Sequence, residues 1–89
     1  LTVNGDSMID ACIADGDMVL MEPIYHQSSL RDGTIVSAMV PGLGTTLKYF
    51  FKKNEHIVLE AANQNYEPLV LNPDDVIIQG KLLAVWRKF

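Results

Sequence analysis

The 89-residue chain has little that would direct it to a membrane, an oxidising compartment or a nucleic acid. No apolar run approaches about 18 residues, so no transmembrane helix is expected. No basic, then apolar, then small-residue leader is visible, so no export signal is expected. The single cysteine, Cys12, excludes an internal disulfide and fits the cytoplasm. No Asn-x-Ser/Thr acceptor occurs, which agrees with that compartment. Basic residues are scarce: 7 Lys and Arg stand against 11 Asp and Glu, a net charge of −4. Nucleic-acid binders need positive surface to displace condensed counterions, so this chain on its own is not expected to hold DNA. Its one basic cluster, Lys48, Lys52 and Lys53, reads as a solvated strand end. His26 and His56 are isolated and match no metal-ligand spacing, so neither a metal nor another cofactor is expected.

What is present describes one small globular domain over residues 1–89, with 48% hydrophobic and 20% charged residues. The start inside a strand-like run, without an initiating Met, suggests a fragment of a longer protein. Turn dipeptides introduce β-prone runs at Met18 to Met21 and Thr34 to Val40. Pro41-Gly42-Leu43-Gly44 turns the second of these into Thr45 to Phe51. After Lys52-Lys53-Asn54-Glu55 come His56 to Glu60, then Leu69 to Leu71. Two short apolar runs around Gly80, within Val76 to Trp86, finish the domain. The only helical candidate is Met8 to Ala14. The expectation is an all-β fold, a small barrel or sandwich with at most one short helical turn.

Ser7 and Lys48 carry the strongest chemical signal. Lys48 lies in a β-type, aromatic-rich run, Thr45-Thr46-Leu47-Lys48-Tyr49-Phe50-Phe51, where an amine can be desolvated. A free lysine is neutral in about one molecule in 2,500 at pH 7, and burial raises that fraction. A neutral amine is a general base, and Ser7, on a sharp turn after Gly5-Asp6, is a hydroxyl it could deprotonate. Strand alternation puts Thr46 on the face of Lys48, where its hydroxyl could hold the amine. Free backbone N–H groups beside Ser7 could stabilise an oxyanion, and Gly5 permits the tight turn. Each residue also has a plain structural reading. Ser7-Met8-Ile9-Asp10 fits a helix N-cap and capping box, and a strand lysine is ordinarily solvated.

Other residues suggest less. Cys12 has no histidine near it in sequence and reads as a small buried core residue. Asp15-Gly16-Asp17 lacks the further ligands of a calcium loop and reads as a turn. Met8, Met18, Met21 and Met39 read as core or pocket material, and Trp86 and Phe89 as core or interface.

With both sites in view, the chain resembles the C-terminal domain of LexA-type repressors, most closely the cyanobacterial ones, and the related UmuD-type proteins. The resemblance rests on Val3-Asn4-Gly5-Asp6-Ser7-Met8-Ile9-Asp10, Ile13-Ala14-Asp15-Gly16-Asp17, Asp32-Gly33-Thr34-Ile35-Val36 and Thr46-Leu47-Lys48. It continues through Asn63, Tyr66 and Pro68 to Gly80 and Trp86-Arg87. It implies a Ser/Lys self-cleaving peptidase in which Ser7 attacks an Ala-Gly or Cys-Gly bond in the protein's own linker. Lys48 takes the proton, and the backbone N–H groups of Asp6 and Ser7 hold the oxyanion, with Gly5, Met8 and Thr46 in support. It also implies a homodimer paired through Leu82, Leu83, Ala84, Val85, Trp86 and Arg87. Further implied are stimulation by RecA filaments on single-stranded DNA, control of DNA-damage genes, and operator binding through a separate N-terminal domain.

The sequence departs from that pattern in having no Ala-Gly or Cys-Gly dipeptide and no DNA-binding domain. The scissile segment is therefore expected upstream of Leu1. Two other readings stay open: a non-catalytic dimerisation module, and a signal-peptidase-like protease acting on other proteins.

Overall fold

A computed structural model describes residues 1–87 of the chain. Six strands are described: β1 (Met18–Pro23), β2 (Thr34–Val40), β3 (Gly44–Lys53), β4 (His56–Glu60), β5 (Leu69–Leu71) and β6 (Ile77–Trp86). They form one sheet in the order β1-β6-β2-β3-β4-β5, and every neighbouring pair is antiparallel. The all-β expectation holds. Helical structure among the described residues is confined to three 3₁₀ turns, at Ile9–Ala11, Gln27–Ser29 and Pro73–Asp75. No helix among them is long and apolar enough to cross a membrane.

The expected β2 to β5 runs form nearly where the turn dipeptides place them. The C-terminal region differs. Two short runs around Gly80 were expected, and a single ten-residue strand is found. β6 stays continuous because it serves two partners in succession: Ile77 to Lys81 pair with β2, and Gly80 to Trp86 pair with β1. Gly80 sits where both partners meet. A Cβ there would lie 2.9 Å from the Glu22 carbonyl oxygen and 3.1 Å from the Met21 Cβ, so only glycine admits the close approach of β1.

Alternation along the strands feeds two cores, one on each face of the sheet. The first gathers Val36, Ala38 and Val40 of β2, Phe50 of β3, Ile57 and Leu59 of β4, and Val76 and Ile78. The second gathers Leu47 of β3, Val19 of β1 and the N-terminal residues Val3, Met8 and Ile13, with Ile35, Tyr49, Leu82 and Val85 packed against it. Two register shifts make this allocation possible. β6 carries an extra residue opposite Ser37/Ala38 and another opposite Leu20/Met21. Each bulge turns the following side chains over, so Leu82 and Val85 reach the second core although Ile78 serves the first.

Cys12 was expected in the core and is exposed instead. It ends the first 3₁₀ turn in the left-handed region (φ 62), which swings its side chain outward. Met18 is likewise exposed, while Met8 is buried. Phe89 lies outside the described residues.

Candidate active site

Ser7 lies on the turn between the N-terminal segment and the first 3₁₀ turn. Gly5, at φ +89, gives that turn its backbone, and its N–H donates to Asp15 Oδ1 at 2.7 Å. The N-cap and capping-box reading of Ser7 fails. The cap position falls on Met8, and no side-chain cap bond forms. The serine hydroxyl is engaged elsewhere, by a residue 41 positions away.

That residue is Lys48. Its Nζ donates to Ser7 Oγ at 3.0 Å, to Thr46 Oγ1 at 2.6 Å and to the Leu47 carbonyl at 3.3 Å. The solvated-lysine reading therefore fails as well. Lys48 is half-buried, and burial pushes its amine below the ordinary lysine range by penalising the charged form. No carboxylate pairs with Lys48 among the described residues to offset that penalty. Thr46 and Lys48 share a face of β3, as alternation predicts.

A cleft of about 200 Å³ opens beside the pair, lined by residues 1–4, by residues 45–47 of β3, and by Ser7 and Met8. β4 pairs with β3 only from Tyr49 to Lys53, so no described strand covers that side of residues 44–48. Among the described residues, no acceptor takes the backbone N–H of Asp6, Ser7 or Met8.

The remaining expected residues are distributed as follows. Met8 is buried beneath the serine turn, and its Sδ accepts from the Ala62 N–H at 3.4 Å. Along β6, Leu82 and Val85 pack on the second core, Leu83 and Trp86 are exposed at 55% and 48%, and Ala84 is exposed. Arg87 is engaged within the chain. Its Nε and Nη2 donate to the two oxygens of Asp17, at 2.9 and 2.8 Å, and Nη2 also donates to the Cys12 carbonyl at 3.0 Å.

Two groups of residues support the site through contacts the sequence did not show, although Asp17, Asn63, Tyr66 and Arg87 all stand in tracts of the resemblance. One is that Arg87–Asp17 pair, which braces the turn leading from the serine to β1. The other is the connector between β4 and β5. There the Asn63 side chain donates to the Asp6 carbonyl, and the Tyr66 hydroxyl donates to the Asp6 carboxylate. Their only local signal is polar residues in an irregular segment. The partners lie 57 and 60 positions away, beyond the reach of any spacing rule.

A hydroxyl within hydrogen-bond reach of a desolvated amine, at the edge of an open cleft, makes this a candidate hydrolase site. Comparison with known proteins agrees in kind. The Peptidase S24-like family matches residues 1–83, and the chain belongs to that family. It is also 40% identical, over all of its 89 residues, to the LexA repressor of Clostridium novyi (strain NT), of which it spans 42%. The chain thus covers less than half the length of that relative.

Proposed function

We propose that this chain is the self-cleaving and dimerising domain of a LexA-type transcriptional repressor, with Ser7 and Lys48 as its catalytic dyad. The observation that carries the reading is the set of three contacts around Lys48 Nζ. A neutral amine has two N–H donors and one lone pair. With the amine uncharged, Thr46 Oγ1 and the Leu47 carbonyl would accept its two N–H groups, and the lone pair would face the Ser7 hydroxyl across the 3.0 Å contact. Burial favours that uncharged form by penalising the charged one.

In the proposed reaction, a segment of the same protein outside these 89 residues lies extended along the open side of β3. Ser7 Oγ attacks its carbonyl carbon as Lys48 takes the hydroxyl proton. The oxyanion is held by the free N–H groups of the serine turn, Ser7 foremost and Asp6 beside it. The intermediate collapses with cleavage of the C–N bond, and Lys48 returns the proton to the leaving amine. Water then hydrolyses the acyl-serine by the same proton route.

A partner that favours docking of the segment would accelerate cleavage by removing water from Lys48, without adding chemistry. A RecA filament on single-stranded DNA is the proposed partner. Cleavage would release DNA-damage genes in the cytoplasm from repression by an operator-binding domain outside this chain. Copies would pair through the end of β6. From Leu82 to Trp86 it is bonded to β1 on one side only, with Leu83 and Trp86 exposed.

Self-cleavage of the full-length protein, followed from about pH 6 to pH 10, tests the reading. The rate should climb with pH and level off below the ordinary lysine value. Ser7→Ala should abolish cleavage, and Lys48→Ala should lower it by about 10²–10⁴, with folding and dimerisation intact. A flat pH profile, or unchanged cleavage in either variant, would leave a pairing module without this chemistry.

A further inference from the structure

We propose that Asn63 is a positioning residue that sets the plane of the Asp6–Ser7 peptide and thereby aims the Ser7 N–H at the oxyanion. The inference rests on the serine-peptidase reading above and adds to it a residue from a separate part of the chain. Asn63 lies in the connector after β4 and is 8% exposed. Its Oδ1 accepts the Asn65 N–H at 2.9 Å, which fixes the orientation of the side-chain amide, because a backbone N–H can only donate. Nδ2 is thereby turned to the serine loop, where it donates to the Asp6 carbonyl at 3.0 Å.

That carbonyl and the Ser7 N–H belong to one peptide group. No peptide bond among the described residues is cis, and in a trans peptide the two point in opposite directions. Anchoring the oxygen on the Asn63 side therefore sends the N–H away from it, and no acceptor among the described residues meets that N–H. The Ile9 N–H adds a second anchor to the same oxygen at 3.2 Å.

Neighbouring contacts stiffen the arrangement. The Asp10 N–H donates to the Ala62 carbonyl at 2.7 Å, and the Ala62 N–H to Met8 Sδ. The Tyr66 hydroxyl holds the Asp6 carboxylate. A carboxylate left loose beside Ser7 would oppose a developing negative charge, and Tyr66 ties it to the connector.

The test uses the full-length protein with Asn63→Asp and Asn63→Ala. Asn63→Asp keeps the shape and the acceptor for the Asn65 N–H but replaces the donor to Asp6 with an oxygen. Removing a direct oxyanion donor costs about 10²–10³ in rate, so disturbing one at second hand should lower self-cleavage at least about ten-fold. In Asn63→Ala, which adds no charge, the pH midpoint of the rate, set by Lys48, should stay in place, and the circular dichroism of both variants should match wild type. Wild-type rates in folded Asn63→Asp would overturn the positioning role, as would losses that merely track the unfolded fraction.

A readout on the unsubstituted protein covers the case in which neither variant folds. When benzeneboronic acid adds to Ser7 as a tetrahedral adduct, the Ser7 amide proton should move downfield in the NMR spectrum. An adduct that leaves that proton unmoved would overturn the proposal. Failure of the underlying reading looks different: Ser7→Ala would cleave like wild type, whatever Asn63 does.

Discussion

Lys48 shows how one side chain couples chemistry to stability. Its amine is pushed down by burial alone, so in the unfolded chain it returns to the ordinary lysine value, about 10.4. Between the lowered folded value and that ordinary one, the unfolded state binds more protons, and stability rises with pH. Below the window both states are charged and the desolvation cost is fully present; above it the cost is gone. Lys48→Met removes the charge while keeping an unbranched stem. The variant should be more stable than wild type at neutral pH, with the advantage shrinking as pH approaches about 10.4. Chemical denaturation at several pH values measures this, and a pH-independent difference would contradict it. Asp17 has the opposite sense. Hydrogen bonds from Arg87, then from the Ala14 N–H, hold its carboxyl below the usual range. Its contribution is present above the ordinary carboxylate value and is lost as pH falls through the lowered one.

Among the elements, β6 departs most from its sequence expectation and does the most to organise the fold. Gly80 reads as an interruption because glycine punctuates strands, yet here it permits a crossing of backbones. Gly80→Ala should destabilise the domain by about 1–3 kcal/mol through overpacking against Glu22 and Met21. A thermal or urea melt reads the loss, and an unchanged midpoint would mean that β1 can retreat freely. The segment from Met8 to Ala14, the one helical candidate, stays short. A single 3₁₀ turn forms there: Ser7 Oγ accepts from Lys48 and caps nothing, and Cys12 leaves the helical region at φ 62. β2, β4 and β5 were legible to the residue, since each is a β-prone run bounded by turn signals, and both features are local.

For the whole molecule, the site is a junction of three regions: the serine turn, the middle of β3 and the connector carrying Asn63. The second core, with Met8 packed beside Leu47 and Ala62, holds those regions together. On the proposed reading, such an arrangement would process a peptide supplied separately, but without the advantage of a tether. A short flexible linker gives an effective concentration on the order of millimolar, so a linker peptide at about 1 μM should be cut about 10³-fold more slowly than the tethered segment. Single-turnover rates for the two substrates test this, and equal rates would remove any need for a tether.

The amino-acid sequence by itself determined the strand period, the turn positions and the residue types able to do the chemistry, because each depends on neighbours a few positions apart. It also carried the family resemblance, spread over tracts from Val3 to Arg87. Only the tertiary structure decided that Ser7 abandons its cap, that two bulges turn β6 over, and that Asn63 and Tyr66 grip Asp6. Those outcomes depend on contacts between residues far apart in the chain, 41 positions in the case of Ser7 and Lys48. Whether Lys48 is solvated or desolvated is set by what packs around it, a property of the assembled core that no local pattern encodes.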